Sequence, residues 1–509
     1  MSSPQPSRRT LLKGAVVLGA LPIVGFTGRP LPRDPFTLGV ASGDPGPDGV
    51  VLWTRLAIDP LAGDGLGGMP ARAVDIEWEV ASDDAFRRVE RRGTVTAVPE
   101  SAHSVRVELQ GLRPGADYFY RFRAEGHLSP AGRTRTAPAP DSVAAMTICV
   151  ASCSHYEQGW FTAYRRLAED RPDLVVHLGD YHYEYAAGAG GAARVRDHVG
   201  AETMTLANYR QRYAQYRTDP DLQAAHAAAP WLVVFDDHEI ANNWAGDIPA
   251  EPDPFFGLRR AAAMQAYFEN MPLRAAAAPH GGHMQLFRRV HWGSLATFHM
   301  LDTRQYRTDQ PCGDEFRAEC AGRHDPSATL TGAGQERWLL DGFATSRARW
   351  DILGQQVFFS GVDLTPGPGV GINPDGWDGY TANRDRILAG LRATPVRNAV
   401  VLTGDIHSHW AATVHRAQGE PAIATELVTS SISSGGDGSD TRAEVAAILP
   451  ENPHIKYFSN RRGYLRARVS ADEIRADFRV LPYVSRPGAP AQTGATFTIA
   501  DREASLRAV

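Results

Sequence analysis

The chain is poor in the features that would assign it to several common classes of protein. It has four cysteines in 509 residues, too few for a disulfide scaffold to hold a protein of this size together. It has no dense stripe of lysine and arginine, and its formal net charge is −5, so nucleic acid is not an expected partner. The sequence contains no internal repeat, no low-complexity tract and neither a CxxC nor an HxxxH pair, so nothing in it supports a structural zinc site.

No apolar run in the sequence predicts a transmembrane segment. The run from Gly14 to Phe26 is short and interrupted by glycine and proline. It follows Arg8-Arg9, and a twin arginine before a short apolar region resembles a signal of the twin-arginine export pathway. We therefore expect residues 1–33 to be a signal peptide read by the twin-arginine machinery, and the protein to be secreted or periplasmic. An ordinary amphipathic leader is the alternative.

The four cysteines have different surroundings. Cys312 and Cys320 flank a charged loop and could close a small disulfide ring or remain as free surface thiols. Cys149 lies inside the apolar run MTICVAS, where a small buried side chain is the default expectation. Cys153 follows that run and is expected at the end of a strand.

Residues 34–138 are predicted to form a β-sandwich. The segment contains short alternating stretches separated by turn residues, such as VDIEWEVAS (74–82) and DYFYRFRAEG (117–126). The piece LRPGADYFYRF resembles fibronectin type III domains. Residues 129–142, rich in proline, alanine and serine, are predicted to be a linker, which leaves residues 139–509 as a second domain.

In residues 139–509, apolar strands alternate with helical patterns, which predicts an α/β fold with sheets covered by helices. The predicted strands are MTICVAS (146–152), LVVHLGD (174–180), WLVVFDD (231–237), LATFHMLD (295–302), WDILGQQVFFS (350–360) and AVVLTGD (399–405). Residues 208–230 carry tyrosines at helical spacing, which predicts a buried aromatic stripe. The Gly-rich stretches 185–206, 365–379 and 430–440 could be lids or plain insertions.

Four of the predicted strands are followed directly by residues of the types that commonly bind metals in proteins. They are Cys153, Asp180, the run Asp236 to Glu239, and the run Gly404 to His407. In open α/β sheets, the loops beyond the carboxyl ends of the strands converge on one crevice. A single aspartate there would be a turn cap, but this many ligand-type residues predict a metal site. Thiolate and phenolate donors beside several carboxylates suggest two unlike metals.

Several longer motifs identify a resemblance to a known family. They are FTLGVASGDPGPDGVVLWTRL (36–56), GDYHYEY (179–185), FDDHEIANNW (235–244) and TGDIHSHW (403–410). These motifs resemble those of the alkaline phosphatase D family of metallophosphoesterases, and the resemblance covers nearly the whole chain from Phe36. In the wider superfamily a D-x-H, G-D, G-N-H-E/D and G-H-x-H series binds two metals. Here Ser152-Cys153-Ser154 replaces the first element, as in the branch similar to enzymes that use ferric iron with calcium.

The resemblance implies a fold, a cofactor and roles for individual residues. It implies a metallophosphoesterase-like layered sheet domain that binds Fe3+ and Ca2+. The implied iron ligands are Cys153, Asp180, Tyr183 and His407; Asp180 is shared between the metals, and Asp237 and Asp405 serve calcium. His238 is implied beside the leaving oxygen, although it could instead only orient Asp237.

The resemblance implies a secreted metal-dependent hydrolase that releases phosphate from phosphomonoesters. Diesters are further candidate substrates. A water or hydroxide bridging the metals would attack phosphorus. One alternative is a phosphodiesterase, such as a phospholipase of the D type acting on phospholipids. A second alternative is a non-catalytic surface-binding protein.

Other polar residues near the motifs have open interpretations. Asn242 and Asn243 could approach a metal or cap a turn. Asp302 and Arg304 are predicted to form a structural ion pair under the site in preference to binding phosphate. His409 and Trp410 could line the pocket, although a tryptophan is more often part of the core.

Overall fold

The computed structural model describes residues 31–509 of the chain. The predicted signal peptide, residues 1–33, therefore lies outside the described residues except for its last three positions. Among the residues described, no helix combines the length and apolar character needed to cross a bilayer.

The N-terminal region is built from short strands. They are β1 (Val40–Gly43), β2 (Val51–Arg55), β3 (Val74–Ala81), β4 (Val89–Ala97), β5 (Ser104–Glu108), β6 (Asp117–Ala124), β7 (His127–Leu128) and β8 (Gly132–Arg135). In β3, Val74 and Ile76 are buried while Asp75 and Glu77 are exposed, as expected when successive side chains point to opposite faces. The predicted linker 129–142 is only partly a linker, because β8 lies within it and pairs with β6.

The central region alternates strands and helices. Its elements are β9 (Met146–Ala151), α1 (Thr162–Glu169), β10 (Leu174–His177), α2 (Leu206–Arg217), α3 (Pro220–Ala228), β11 (Pro230–Val233) and α4 (Phe256–Asn270). Strands β9, β10 and β11 are parallel neighbours. They are almost entirely buried, which explains why their sequences read as continuous apolar runs.

The remaining residues complete the layers. Their elements are β12 (Arg288–Trp292), β13 (Ala296–Met300), β14 (Arg317–Ala318), α5 (Gly332–Thr345), β15 (Trp350–Gly354), β16 (Gly371–Ile372), α6 (Thr381–Ala393), β17 (Ala399–Thr403), β18 (His409–Val414), β19 (Ala424–Val428), α7 (Ala443–Ile448), β20 (Ile455–Ser459), β21 (Gly463–Val469), β22 (Glu473–Val480), β23 (Gln492–Ala500) and β24 (Arg507–Ala508).

Two large sheets pack face to face. Their strand orders are β24-β23-β22-β21-β9-β10-β11-β1-β2-β5 and β12-β13-β15-β17-β19-β18-β20. One core cluster joins Val175 and Leu232 of the first sheet to Ile352 and Leu402 of the second. The two sheets therefore share a single apolar interface.

Helices cover the outer faces of both sheets. Leu353 and Val401 on the second sheet belong to a separate core with Phe343 of α5 and Leu388 of α6. Helices α1 to α4 contribute buried side chains to the core cluster that contains Val175 and Leu232 of the first sheet. The result is a helix, sheet, sheet, helix arrangement, in agreement with the predicted α/β class.

The N-terminal region has its own core but shares a sheet with the rest of the chain. Strands β3, β4, β6, β7 and β8 form a separate sheet, whose inner side packs on β1, β2 and β5. Strand β1 also pairs in parallel with β11. Gly43 permits this approach, because a Cβ there would lie 2.8 Å from the carbonyl oxygen of Trp231. The second layer of this sandwich is thus a continuation of the main sheet.

The segment 208–230 forms two helices. The break falls at Asp219, whose carboxylate accepts hydrogen bonds from the backbone N–H groups of Asp221 and Leu222 and so caps α3. Tyr209, Tyr213 and Tyr216 are fully buried. The predicted aromatic stripe is therefore confirmed.

Two of the four cysteines form a disulfide bond. Cys312 and Cys320 are joined across the charged loop, with their Cα atoms 6.3 Å apart. Cys149 and Cys153 are free and buried. Because Cys149 lies in the core of β9, only Cys153 is available for chemistry.

Candidate metal centre

The loops after four strands meet at one end of the paired sheets. Cys153 follows β9, Asp180 follows β10, Asp237 follows β11, and Asp405 follows β17. The first two loops are joined directly, because the N–H of Cys153 donates to the carbonyl of Gly179 at 3.1 Å. The predicted convergence of strand ends is therefore present.

Four of the candidate ligands have left-handed backbone conformations. The φ angles are 61° at Cys153, 52° at Asp180, 63° at Asp405 and 53° at His407. Such conformations cost a non-glycine residue roughly 1–3 kcal/mol each and cluster at functional sites. All four residues lie in loops that follow strands of the two large sheets.

The first group of donor atoms combines sulfur, oxygen and nitrogen. One ligand atom each from Cys153, Asp180 and His407 lies within 4.8 Å of the other two. The hydroxyl of Tyr183 donates to Oδ2 of Asp180 at 2.8 Å and lies 3.0 Å from Nε2 of His407. All four residues implied as iron ligands therefore lie together.

The second group shares one member with the first. Ligand atoms of Asp180, Asp237 and His238 lie within 4.8 Å of one another. Asp180 thus occupies the position between the groups. Asp405 belongs to neither group, although its charge is close enough to Asp236 and Asp237 to interact with them.

The protein alone does not favour ionisation of the sulfur and phenol donors. Burial, reinforced by the charge of Asp180, raises the pKa of the Cys153 thiol well above its usual value. Burial and the charges of Asp180 and Cys153 raise the pKa of Tyr183 in the same way. Burial also raises the pKa of Asp180. A cation is the natural means of stabilising these anions together.

Asp237 and His238 are in a different electrostatic state. Burial alone would raise the pKa of Asp237, but the charges of His238 and Arg304 hold it below its ordinary value. Burial would lower the pKa of His238, yet Asp237, Glu184 and Asp180 raise it well above its ordinary value. The charges around Asp237 therefore favour its ionised form, and those around His238 favour its protonated form.

The donor atoms fit a pair of bound cations. Oδ1 of Asp180 and Oδ1 of Asp237 are buried and have no hydrogen-bond partner among residues 31–509. Buried polar atoms are almost always satisfied in proteins, so both oxygens indicate a missing partner of positive charge. Thiol and phenol donors suit a transition metal, while carboxylate oxygens suit a hard cation such as calcium.

Glu184 fixes the orientation of His238, and the sequence patterns did not single it out. Its Oε2 accepts from Nδ1 of His238 at 2.8 Å, and its Oε1 accepts from the backbone N–H of Asn242 at 2.8 Å. The Nε2 atom of His238 is left facing the site, 3.9 Å from Oδ2 of Asp237. Glu184 lies within the GDYHYEY motif, but only the fold shows that it contacts His238.

The predicted ion pair between Asp302 and Arg304 is wrong. Asp302 instead accepts from the backbone N–H of Arg304 at 3.0 Å. The buried guanidinium of Arg304 pairs with Asp236 at 2.6 Å and with Asp375 at 3.0 Å. Arg304 therefore holds the loop that carries Asp236 and Asp237 by an ion pair. No local sequence pattern indicated its second partner, Asp375.

The two asparagines act through their backbone. The N–H of Asn243 donates to Oδ2 of Asp237 at 2.8 Å, and the N–H of Asn242 donates to Glu184. Both residues thus hold carboxylates of the site in place.

The aromatic residues near the motifs pack around the site. The His155 ring lies 4.5 Å from that of Tyr183, and the His182 ring stands edge-on to Tyr213 at 4.3 Å. Trp410 packs in a core cluster with Phe358, and His409 is fully buried. None of the four lies in either group of donor atoms.

Solvent reaches the site beside His407. Its side chain is 34% exposed, whereas that of Asp180 is 2% exposed. The His238 side chain is 10% exposed. A small molecule therefore meets His407 first, with Asp180 behind it.

Two family models match the chain. The model described as "PhoD-like phosphatase" matches residues 148–478, and that described as "PhoD-like phosphatase, N-terminal domain" matches residues 25–138. Alkaline phosphatase D of Bacillus subtilis (strain 168) is 48% identical over 483 residues, which covers 93% of this chain and 82% of the relative.

Solved structures give the same result. A structure of PhoD superposes with a TM-score of 0.92 at 47% identity, covering 94% of this chain and 93% of that one. A purple acid phosphatase, PPD1 from yellow lupin (Lupinus luteus) seeds, has a TM-score of 0.54 at 11% identity, covering 91% of this chain and 73% of that one. The second likeness shows a common fold.

Proposed function

The chain belongs to the PhoD-like phosphatase family, and from that premise we propose that its strand-end side chains hold ferric iron and calcium for phosphoester hydrolysis. The ligands assigned to iron are Cys153, Asp180, Tyr183 and His407, and those assigned to calcium are Asp180, Asp237 and Asp405. The observation that carries the sharing of Asp180 is the pair of donor groups that both contain it, whereas the assignment of Asp405 rests on the family resemblance. The family establishes the coarser statement, that the protein is a metal-dependent phosphoric ester hydrolase.

The proposed metal ligands set where the cations act and from which side the phosphoester enters. When bound, the cations neutralise charge on the phosphoryl oxygens and acidify a water molecule. The side chain of His407 is more exposed than that of Asp180, and we assign this side to the incoming phosphoester. Asp180 is less exposed than His407. It belongs to both donor groups and therefore links them.

His238 is assigned to the departing alcohol. Its Nδ1 is engaged by Glu184, so the proton on Nε2 points toward the site. A protonated imidazole in this position donates to the leaving oxygen or to a phosphoryl oxygen as charge develops there. Glu184 keeps the ring oriented and favours its protonated form.

The test is elemental analysis of the purified protein combined with a substrate panel. A soluble phosphomonoester, a diester and phosphatidylcholine vesicles are assayed before chelation, after chelation, and after addition of iron and calcium together or singly. We expect monoester hydrolysis to disappear on chelation and to return only with both metals. Faster cleavage of the diester or the vesicles would favour the phosphodiesterase alternative. Full activity without metal would overturn the proposal.

We also propose the division of the chain into residues 1–33 as a twin-arginine signal, 34–138 as a fibronectin-III-like domain and 139–509 as the catalytic domain. The family models support the second boundary by meeting between residues 138 and 148. If the signal is of this type, replacing Arg8 and Arg9 by lysine should block export of the full chain. Export of that variant at the normal rate would contradict the assignment.

A further inference from the structure

Ser434 joins three parts of the metal centre through one hydroxyl group. Its Oγ accepts from the backbone N–H of His155 at 3.1 Å and lies 2.9 Å from the carbonyl oxygen of Cys153. The same Oγ lies 2.8 Å from the hydroxyl oxygen of Tyr183. The Gly-rich loop that carries Ser434 thus contacts two of the candidate ligands directly.

The hydroxyl of Ser434 has one proton for two acceptors. A serine hydroxyl donates a single hydrogen bond, and the backbone N–H of His155 occupies one of its lone pairs. The proton can therefore point to the carbonyl of Cys153 or to the oxygen of Tyr183, but not to both at once.

The chemistry of Tyr183 decides between these directions. Its oxygen has three hydrogen-bond partners among the described side chains: Asp180, His407 and Ser434. A phenol oxygen that binds a cation has no proton to donate, and a carboxylate and an imidazole nitrogen that bind the same cation have none to offer. Only the Ser434 hydroxyl can then donate to that oxygen.

We propose that Ser434 is a positioning residue whose hydroxyl donates to the oxygen of Tyr183 when that oxygen binds a metal. The inference rests on the ligand set of the proposed function and extends it to a residue that touches no metal. A hydrogen-bond donor to a ligand oxygen fixes the orientation of the ligand and reduces the negative charge on its oxygen. Residues that hydrogen-bond to metal ligands have this effect in other metal sites.

The surroundings of Ser434 keep the hydroxyl in place. Arg462, only 1% exposed, donates to the carbonyl oxygen of Ser434 and to Oγ of Ser431 at 2.7 Å. The hydroxyl of Ser431 also donates to the carbonyl of Ser434 at 2.7 Å. The backbone at Ser434 is therefore fixed before a metal binds.

The experiment compares Ser434→Ala and Ser434→Cys with a matched control in the same loop. Ser433 is equally buried, but its hydroxyl donates to the carbonyl of His155 at 2.9 Å and to no assigned ligand. Ser433→Ala therefore removes the same group without affecting the Tyr183 contact. A thiol is a weak donor of similar shape, so Ser434→Cys tests donor strength even where Ser434→Ala does not fold.

The readouts are metal content, the rate of metal loss to a chelator, and the visible absorption band that a phenolate gives when bound to ferric iron. We expect metal affinity to fall by about 10–100-fold in Ser434→Ala, with a shifted band, and by less in Ser434→Cys. Ser433→Ala should match the wild type in all three readouts. Wild-type affinity and an unshifted band in both Ser434 variants would overturn the inference.

A Tyr183→Phe variant separates this inference from the ligand set. If Tyr183→Phe loses the band while the Ser434 variants keep it unchanged, Tyr183 is a ligand and Ser434 does not act on it. If Tyr183→Phe retains both the band and the metal, the ligand assignment fails and the inference fails with it.

Discussion

The two sides of the metal centre differ in how the protein stabilises negative charge. On one side, the thiol of Cys153 and the phenol of Tyr183 are hydrogen-bonded to Ser152, Asp180, His407 and Ser434, and none of these partners is a permanent cation. On the other side, Asp237 lies near the charged His238 and Arg304. Burial keeps the pKa values of Cys153 and Tyr183 high, whereas neighbouring positive charges lower the pKa of Asp237.

This difference supports the proposed assignment of two unlike metals. A cation that binds at Cys153 and Tyr183 releases the protons of both, and such sulfur and phenol donors suit a transition metal. A cation at Asp237 meets a carboxylate whose pKa is held low, and carboxylate oxygens suit a hard ion such as calcium.

The largest expected effect comes from removing the sulfur donor. Cys153→Ala should abolish turnover and retention of iron, because the iron side depends on thiolate for its selectivity. Metal analysis and monoester hydrolysis measure both. Cys149→Ala is the matched control, since Cys149 is equally buried in β9 but packs only in the core. Full iron content in Cys153→Ala would remove this residue from the site.

The next effect separates proton donation from metal binding. His238→Gln should lower turnover by about 10²–10⁴-fold, the usual contribution of a positioned proton donor, while both metals remain bound. The loss should be greatest for esters of poorly acidic alcohols, because these need the proton most at departure. If the loss were the same for good and poor leaving groups, His238 would serve only to orient Asp237.

A smaller effect tests whether Arg304 stabilises the buried carboxylates next to Asp237. Arg304→Gln leaves Asp236 without its cationic partner, whereas Asp375 keeps Arg307 at 2.7 Å. Removing one member of a buried ion pair costs about 3–5 kcal/mol of folding stability. Denaturant unfolding of the metal-free protein measures the cost. Arg165→Gln is the control, because Arg165 is 41% exposed and its partner Asp221 is 22% exposed, and an ion pair that solvent reaches contributes about 0–1 kcal/mol. Equal losses in the two variants would contradict the role given to Arg304.

The sequence indicated the site where strand and ligand are adjacent in the chain. Asp180 and Cys153 directly follow continuous apolar strands, so their place at the sheet edge could be predicted from position alone. His407 was also indicated by its place after a strand, but the assignment of Tyr183 as an iron ligand needed the family resemblance, because spacing does not show which way an aromatic ring points.

Contacts between distant parts of the chain could not be predicted in this way. Ser434 is 251 residues from Tyr183, and Asp375 is 71 residues from Arg304. Asp302 was the nearer candidate for Arg304, but two neighbouring backbone N–H groups already satisfy its Oδ1. Local charge patterns do not reveal such competition between backbone and side-chain partners.

The fold shows the same limit. The strands of residues 34–138 were predicted from their alternation, which reports only that one face is buried. Strand β1 pairs both with β2 of its own region and with β11 of the main sheet, and alternation carries no information on the second pairing.

The central claim is that one site holds two unlike metals divided at Asp180. Anomalous X-ray scattering from crystals of the protein, recorded above and below the iron edge, tests it most directly. The account predicts an iron peak bonded to the sulfur of Cys153 and a separate peak without iron scattering beside Asp237. The same metal at both positions, or a single peak, would contradict it.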